Sequence, residues 1–219
     1  MRHYIASGST TGRSHLLAER PNQDAFRLLE ASWGSVAVVC DGCGSEPGSG
    51  LGAALGASLA ARSAARQLGA GSPLDLCLLR AEILAGISLV AKTTGLGLRE
   101  NFLFTIVGAV FTGEKTVVFA CGDGLFSLDG AVTVLGPFPD NAPPYLAYAL
   151  LGGAADFALL HEGPADQVLI GTDGAQEVPL APLLADGRYL KNPDLLRRRL
   201  KLARPSDDAT VAVITRRDL

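Results

Sequence analysis

Apolar positions follow two rhythms along the chain. Short runs with strand character, His3 to Gly8 and Ala25 to Glu30, open it, and a third, Val36-Ala37-Val38-Val39-Cys40, is apolar at every position. Successive side chains of a strand point to opposite faces, so an unbroken apolar run predicts a strand covered on both sides. After a Gly/Ser/Pro loop come two helix-like segments, Gly50 to Leu68 and Leu74 to Lys92, separated by Gly69-Ala70-Gly71-Ser72-Pro73 and able to pair antiparallel. Strand patterns return at Phe104 to Phe111, Thr116 to Cys121, Leu125 to Leu128 and Ala131 to Leu135, the last two joined by the hairpin Leu128-Asp129-Gly130-Ala131. A Pro-interrupted stretch, Asn141 to Gly153, leads to strands at Phe157 to Leu160 and Val168 to Thr172. Short helices are expected after Asp173 and from Asp194 to Ala203, before a last strand at Thr210 to Thr215. A central helix pair with strands grouped on either side contradicts the alternation of a doubly wound parallel sheet, so the pattern predicts an α+β fold with mostly antiparallel strands. No internal repeat or linker interrupts it, and the 219 residues are expected to form one domain, 1–219.

Composition narrows the function classes. Hydrophobic residues make up 48% and charged residues 19%, enough to bury a sizeable core. The longest uncharged stretches, Pro47 to Ala61 and Asn141 to Ala155, are each 15 residues and rich in Gly, Ala and Pro. A membrane-spanning helix needs about 20 apolar residues, so no membrane association is expected. Met1 to Gly8 runs into a polar Ser/Thr segment rather than a secretory apolar region, which makes a cytoplasmic location the default. Four cysteines are too few for a disulfide scaffold. The net charge is -3, yet Arg188 to Arg204 holds seven basic residues against Asp194 alone, leaving twelve cations against twenty-one acids elsewhere. That acidic majority favours cations over nucleic acid as partners. Nothing in the sequence specifies an oligomeric state.

The acids recur in one arrangement: an apolar run stops at an Asp beside a Gly, at Asp41-Gly42, Asp123-Gly124 and Asp173-Gly174, and Asp207-Asp208 opens the final strand. Asp-Gly is ordinary turn chemistry and accounts for Asp129-Gly130. Asp41 and Asp173 instead lead into a loop or helix, where a two-residue hairpin turn has no purpose. Carboxylates that converge from buried strand ends repel, and each has its pKa raised unless a cation sits between them. Hard cations such as magnesium and manganese take oxygen ligands. With three histidines (His3, His15, His161) and no pair at helical spacing, a His-rich zinc site has little support. A dinuclear oxygen-ligand site, suited to in-line phosphoryl chemistry, is the better reading.

The segments that carry this pattern are Asn22-Gln23-Asp24-Ala25, Val39-Cys40-Asp41-Gly42-Cys43-Gly44-Ser45, Thr105-Ile106-Val107-Gly108, Gly122-Asp123-Gly124, Gly171-Thr172-Asp173-Gly174 and Asp207-Asp208-Ala209-Thr210-Val211. In this order they resemble the metal-dependent protein phosphatases of the protein phosphatase 2C type, and Gly12-x-Ser14-His15 ahead of Pro21-x-Gln23-Asp24 resembles a compact bacterial branch. The resemblance implies a central β-sandwich flanked by helix pairs, with two divalent ions, Mn2+ or Mg2+, at one edge. It implies a phosphorylated protein as substrate, hydrolysed at phosphoserine or phosphothreonine without a phosphoenzyme. Carried over by position, Asp41 bridges the two metals, the Gly42 carbonyl ligates one, and Asp173 and Asp207 hold the other. Asp24 acts through water, so Asp24, Asp41 and Asp173 are the catalytic set. Asp208 stands where many members have Asn and is held in reserve. Asp123 is expected to order the strand end by hydrogen bonds. For the phosphate, Arg20 is the nearest counterpart of the family's arginine, with His15 and Arg13 behind it.

Two departures open alternatives. The family's frequent His after Asp-Gly is Cys43 here, and Glu100-Asn101 stands where many bacterial members place an Asp for a third metal. A phosphatase-like domain that binds without turnover is therefore one rival, and a thiol oxidoreductase using the Cys40-x-x-Cys43 spacing is another. Gly48-x-Gly50-x-x-Ala53 matches a dinucleotide fingerprint by letter, but its strand ends seven residues earlier, which points to close helix packing. Arg197-Arg198-Arg199-x-Lys201 shares a helix with Leu195, Leu196, Leu200 and Ala203 and is expected to be its solvated face.

Overall fold

The computed structural model describes residues 3–113, 115–139 and 142–216. The leader reading at Met1-Arg2, and Asn141 of the Pro-interrupted stretch, lie outside them. In chain order the elements are β1 (His3–Thr10), α1 (Arg13–Leu17), β2 (Ala25–Ala31), β3 (Gly34–Gly42), α2 (Ser49–Gly69), α3 (Leu76–Thr94), α4 (Leu98–Phe102), β4 (Phe104–Thr112), β5 (Thr116–Cys121), β6 (Gly124–Leu128) and β7 (Ala131–Leu135). There follow a 3-10 turn (Leu146–Leu151), β8 (Ala158–Gly163), β9 (Gln167–Gly171), a second 3-10 turn (Asp173–Glu177), α5 (Ala181–Ala185), α6 (Arg188–Lys191), α7 (Pro193–Ala203) and β10 (Ala209–Arg216).

Two five-stranded antiparallel sheets result, in the orders β1-β10-β9-β6-β7 and β2-β3-β4-β5-β8. This is the α+β architecture the sequence pattern predicts. The unbroken apolar run in β3 now has its reason. Ala37 and Val39 pack with Val107, Ala109, Ile170 and Ala212 between the sheets, while Val36, Val38 and Cys40 join the cluster formed with α2 and α3. A third cluster sets Leu183, Leu184, Leu196 and Leu200 of α5 and α7 against Leu125, Leu169, Val211 and Val213 on the outer face of the other sheet. The layers are therefore helices, sheet, sheet, helices.

Local chemistry fixes the helix ends. Asp75 caps α3 by accepting the N–H groups of Cys77 (2.8 Å) and Leu78 (3.1 Å), and Gly95 ends it with φ of 75°. Asn192 caps α7, whose first residue is Pro193. Helix α2 buries Ala53, Gly56, Ala57, Ala60, Ala61 and Ala64, and a Cβ on Gly56 would come 2.1 Å from the Phe104 ring. Small residues thus let α2 lie close on the sheet, the packing expected for the Gly48 to Ala53 segment. Among the described residues no helix is long and apolar enough to cross a membrane.

Candidate active site

Antiparallel pairing collects the acidic strand ends at one edge of the sandwich. Asp41 lies near the end of β3 opposite Thr105 of β4, and Asp24 immediately precedes β2, whose Ala25 pairs with Cys40. Asp173 follows the end of β9, and Asp207 and Asp208 precede β10, whose Val211 pairs with Gly171. Asp123 occupies the turn between β5 and β6. A cavity of about 270 Å³ opens there, lined by Asp41, Asp123, Asp173 and Asp207 together with Gly42, His15, Cys43 and Tyr145.

Burial makes these charges expensive. The Asp41 carboxyl is pushed well above the usual carboxylate range by burial and by the neighbouring Asp24 and Asp173 charges. Asp24 is pushed up to about 8 by burial, against the pull of hydrogen bonds from the Thr172 and Thr210 hydroxyls, with Asp208 and Asp173 adding repulsion. Asp123 rises to about 6, again chiefly through burial and then through Asp173. Oδ1 of Asp24 and Oδ1 of Asp173 are buried without a hydrogen-bond partner among the described residues. Clustered carboxylates with orphaned oxygens and an all-oxygen donor set fit hard divalent cations, which would remove both the repulsion and the unsatisfied acceptors.

Asp24 does not line the cavity but sits behind it, with Oδ2 accepting the Thr172 hydroxyl at 2.8 Å. The Thr172 oxygen in turn accepts the Thr210 N–H at 3.0 Å, tying β9 to β10. Its neighbours hold the approach: Asn22 accepts the Asp24 N–H (2.8 Å), and the Gln23 amide donates to the Glu46 carbonyl (2.7 Å) and to Ser49 (2.8 Å).

The adjacent pair at the start of β10 divides cleanly. The Asp207 side chain is 58% exposed and faces the cavity. Asp208 is 2% exposed and fully occupied: Oδ1 accepts Gly12 N–H (2.8 Å), and Oδ2 accepts Gln23 N–H (2.6 Å) and lies 2.8 Å from His15 Nδ1. The Gly12-x-Ser14-His15 segment is built around this turn. A Cβ on Gly12 would fall 2.2 Å from the Asp207 carbonyl carbon, and Ser14 bonds the Ser206 carbonyl through both its N–H (3.0 Å) and its hydroxyl (2.7 Å). His15 itself is buried, with Nε2 4.0 Å from Asp207 Oδ1. His15, Asp207 and Asp208 also form a close group of side chains able to hold a metal ion, although Asp208 already accepts on both oxygens.

Two positions differ from expectation. The Arg20 guanidinium does not line the cavity; it donates to the Gly44 carbonyl at 3.0 Å and ties down the loop after Gly42, whereas His15 is in the lining. Asp123 was expected to bond the strand end, yet only its own backbone N–H offsets its charge, and its carboxylate adds to the acidic lining. Tyr145 escaped the sequence reading because its Pro-rich stretch has no period; burial and the Cys43 side chain hold its phenol above the ordinary range. Cys40 is fully buried and Cys43 half-buried, both as free thiols, with burial pushing Cys40 up.

A family model for protein phosphatase 2C matches residues 11–209. No curated protein matches the sequence significantly. Similar solved structures include the serine/threonine phosphatase Stp1 from Staphylococcus aureus, at 14% identity and TM-score 0.64 over 100% of this chain and 96% of that one. The catalytic domain of the serine threonine protein phosphatase PstP, solved with two manganese ions, gives 18% identity and TM-score 0.62 over 97% of each chain. A bacterial serine phosphatase gives 13% identity and TM-score 0.65 over 100% of this chain and 99% of that one.

Proposed function

Because the chain belongs to the protein phosphatase 2C family, we propose that residues 1–219 act as one domain that hydrolyses phosphoserine and phosphothreonine in proteins, using two manganese or magnesium ions. The observation that carries this reading is the convergence of Asp41, Asp123, Asp173 and Asp207 on one cavity, with orphaned oxygens on Asp24 and Asp173. Asp41, the Gly42 carbonyl, Asp173 and Asp207 would hold the cations. When bound, divalent ions of this kind acidify water and offset charge on phosphoryl oxygens.

The chain's own groups orient the reactants. The Thr172 hydroxyl fixes one oxygen of Asp24, leaving the other to accept a hydrogen bond from water. Asp208 holds His15 through Nδ1, so the ring presents Nε2 beside Asp207. From there Nε2 is the ring nitrogen that would meet a phosphoryl oxygen. Cys43 takes the position of the family's frequent His, so departure of a poor leaving group receives no imidazole proton from that position, and aryl phosphates should be favoured over seryl or threonyl esters.

The same absence, with Arg20 turned to Gly44, favours one rival: a domain that binds phosphoprotein without turnover. Hydrolysis of a small aryl phosphate and of a phosphoserine peptide, with manganese and then with EDTA, separates the two. Turnover that needs metal and stops with EDTA is expected. Full activity in a metal-stripped sample overturns the mechanism, and metal binding without turnover of either substrate supports the rival.

A further inference from the structure

A second cavity, of about 480 Å³, has a charged lining that is wholly cationic: Arg13, Arg197, Lys201 and Arg204. Within 4.0 Å, Arg197 pairs with Asp194, whereas Arg13, Lys201 and Arg204 have no ion pair among the described residues. Arg197 and Lys201 lie four residues apart on α7, where like charges repel, and Arg204 ends that helix at φ of 53°. The rest of the chain is acidic, so this concavity is a local reversal of sign and a place where anions concentrate.

The linings of the two cavities come together along the sequence at Arg13 to His15 and at Pro205 to Asp207. Arg13 N–H bonds the Pro205 carbonyl and Ser14 N–H the Ser206 carbonyl, each at 3.0 Å. On one side of this join His15 and Asp207 line the carboxylate cavity, while on the other Arg13 and Pro205 line the basic one. We infer that the basic cavity is a second subsite, taking the acidic side chains that flank the phosphorylated residue of a substrate protein; this rests on the phosphatase reading. Leu16, 63% exposed in the same lining, adds an apolar contact for such a segment. Among the described residues no aromatic side chain lines the cavity to stack a base, and an extended polyanion would also meet the acidic remainder of the chain, so the chemistry favours a short acidic peptide over nucleic acid.

The first measurement is binding of a fluorescent, unphosphorylated glutamate-rich peptide to the full chain by polarisation. Binding that weakens with salt, and falls about tenfold or more in a Lys201→Glu, Arg204→Glu double variant, is expected. Both side chains are exposed, so the exchange removes no buried contact, and an unchanged circular dichroism melt shows that the fold is kept. In the second, kcat/KM is compared for a phosphoserine peptide flanked by glutamate and its glutamine counterpart. The glutamate form should be preferred, and the double variant should erase the preference through KM at unchanged kcat while hydrolysing aryl phosphate normally. Equal affinity of wild type and variant for the acidic peptide overturns the inference, as does displacement of that peptide by a single-stranded oligonucleotide at lower concentration than by the unlabelled peptide. If aryl phosphate is not hydrolysed with manganese, the phosphatase reading fails, and the polarisation arm still decides whether this cavity takes acidic peptide.

Discussion

Replacing Asp208 with asparagine puts a donor where the fold needs an acceptor. The two oxygens serve Gly12 N–H on one side and Gln23 N–H with His15 on the other, at 2.8, 2.6 and 2.8 Å, in a side chain that is 3% exposed. An amide has one oxygen, so in either orientation its NH2 meets a backbone N–H, and one buried donor loses its partner at a cost of about 1–3 kcal/mol. For a chain of this size that is a fall of roughly 2–12 °C in Tm. Asp207→Asn should behave oppositely. Its Oδ1 accepts the Asp208 N–H at 2.8 Å, a bond the amide oxygen can keep, and the exposed side chain costs little to alter. Metal-free stability should stay within about 0.5 kcal/mol of wild type. The loss of a charged ligand should raise the manganese needed for half activity about tenfold or more. Denaturant melts in EDTA, paired with manganese titrations of aryl phosphate hydrolysis, read both effects. A destabilised Asp207→Asn with a normal titration, beside a stable Asp208→Asn with a defective one, would falsify the division of labour.

Three further predictions follow from the same site. In EDTA the protein should lose stability as pH rises from about 4 toward 8: unfolded carboxylates release their protons near pH 4, while burial holds those of Asp24 (about 8) and Asp41 in the folded chain. Saturating manganese should flatten that slope, and an EDTA profile that is level or rises with pH refutes the account. Thr172→Val removes the donor to Asp24 and the acceptor for Thr210 N–H, and should cost about 1–3 kcal/mol by chemical denaturation, with Thr172→Ser recovering most of it. Cys43→Ser should keep most aryl phosphatase activity and Asp41→Asn should lose it; the reverse result would transfer the chemistry to the thiol.

Elements with a long or two-sided signature were readable from sequence. The unbroken apolar β3 could only be a strand buried on both faces, and α2 and α3 begin and end within two residues of the expected Gly50 to Leu68 and Leu74 to Lys92. The acids were visible because Asp41-Gly42 and Asp173-Gly174 make no sense as hairpin turns in front of a loop and a helical turn. Helices α1 and α4, five residues each, were not visible: neither completes two turns of periodicity, and α1 is anchored by carbonyls from the far end of the sequence. The family resemblance offered Arg20 as the nearest counterpart of a phosphate-binding arginine, but a motif match carries no information on side-chain direction, and here the guanidinium bonds the Gly44 carbonyl. For the same reason the buried role of Asp208 and the cavity-facing role of Asp207 could not be told apart by register alone.

The hydrogen bond between Gly12 and Asp208 spans 196 positions of sequence, and β1 pairs with β10 from His3↔Arg216 to Thr10↔Ala209. The acidic edge is thus closed by the first and last strands together. A chain that ends after Asp173 already carries Asp24, Asp41, Asp123 and Asp173, but Gly12 has no acceptor, His15 has no carboxylate to orient it, and the acidic cluster lacks Asp207. Contacts of such separation form only after a large loss of chain entropy, so they come late in folding. The edge that gathers the carboxylates is therefore a seam between the two ends of the sequence, held shut by the β1–β10 ladder and the Gly12–Asp208 bond.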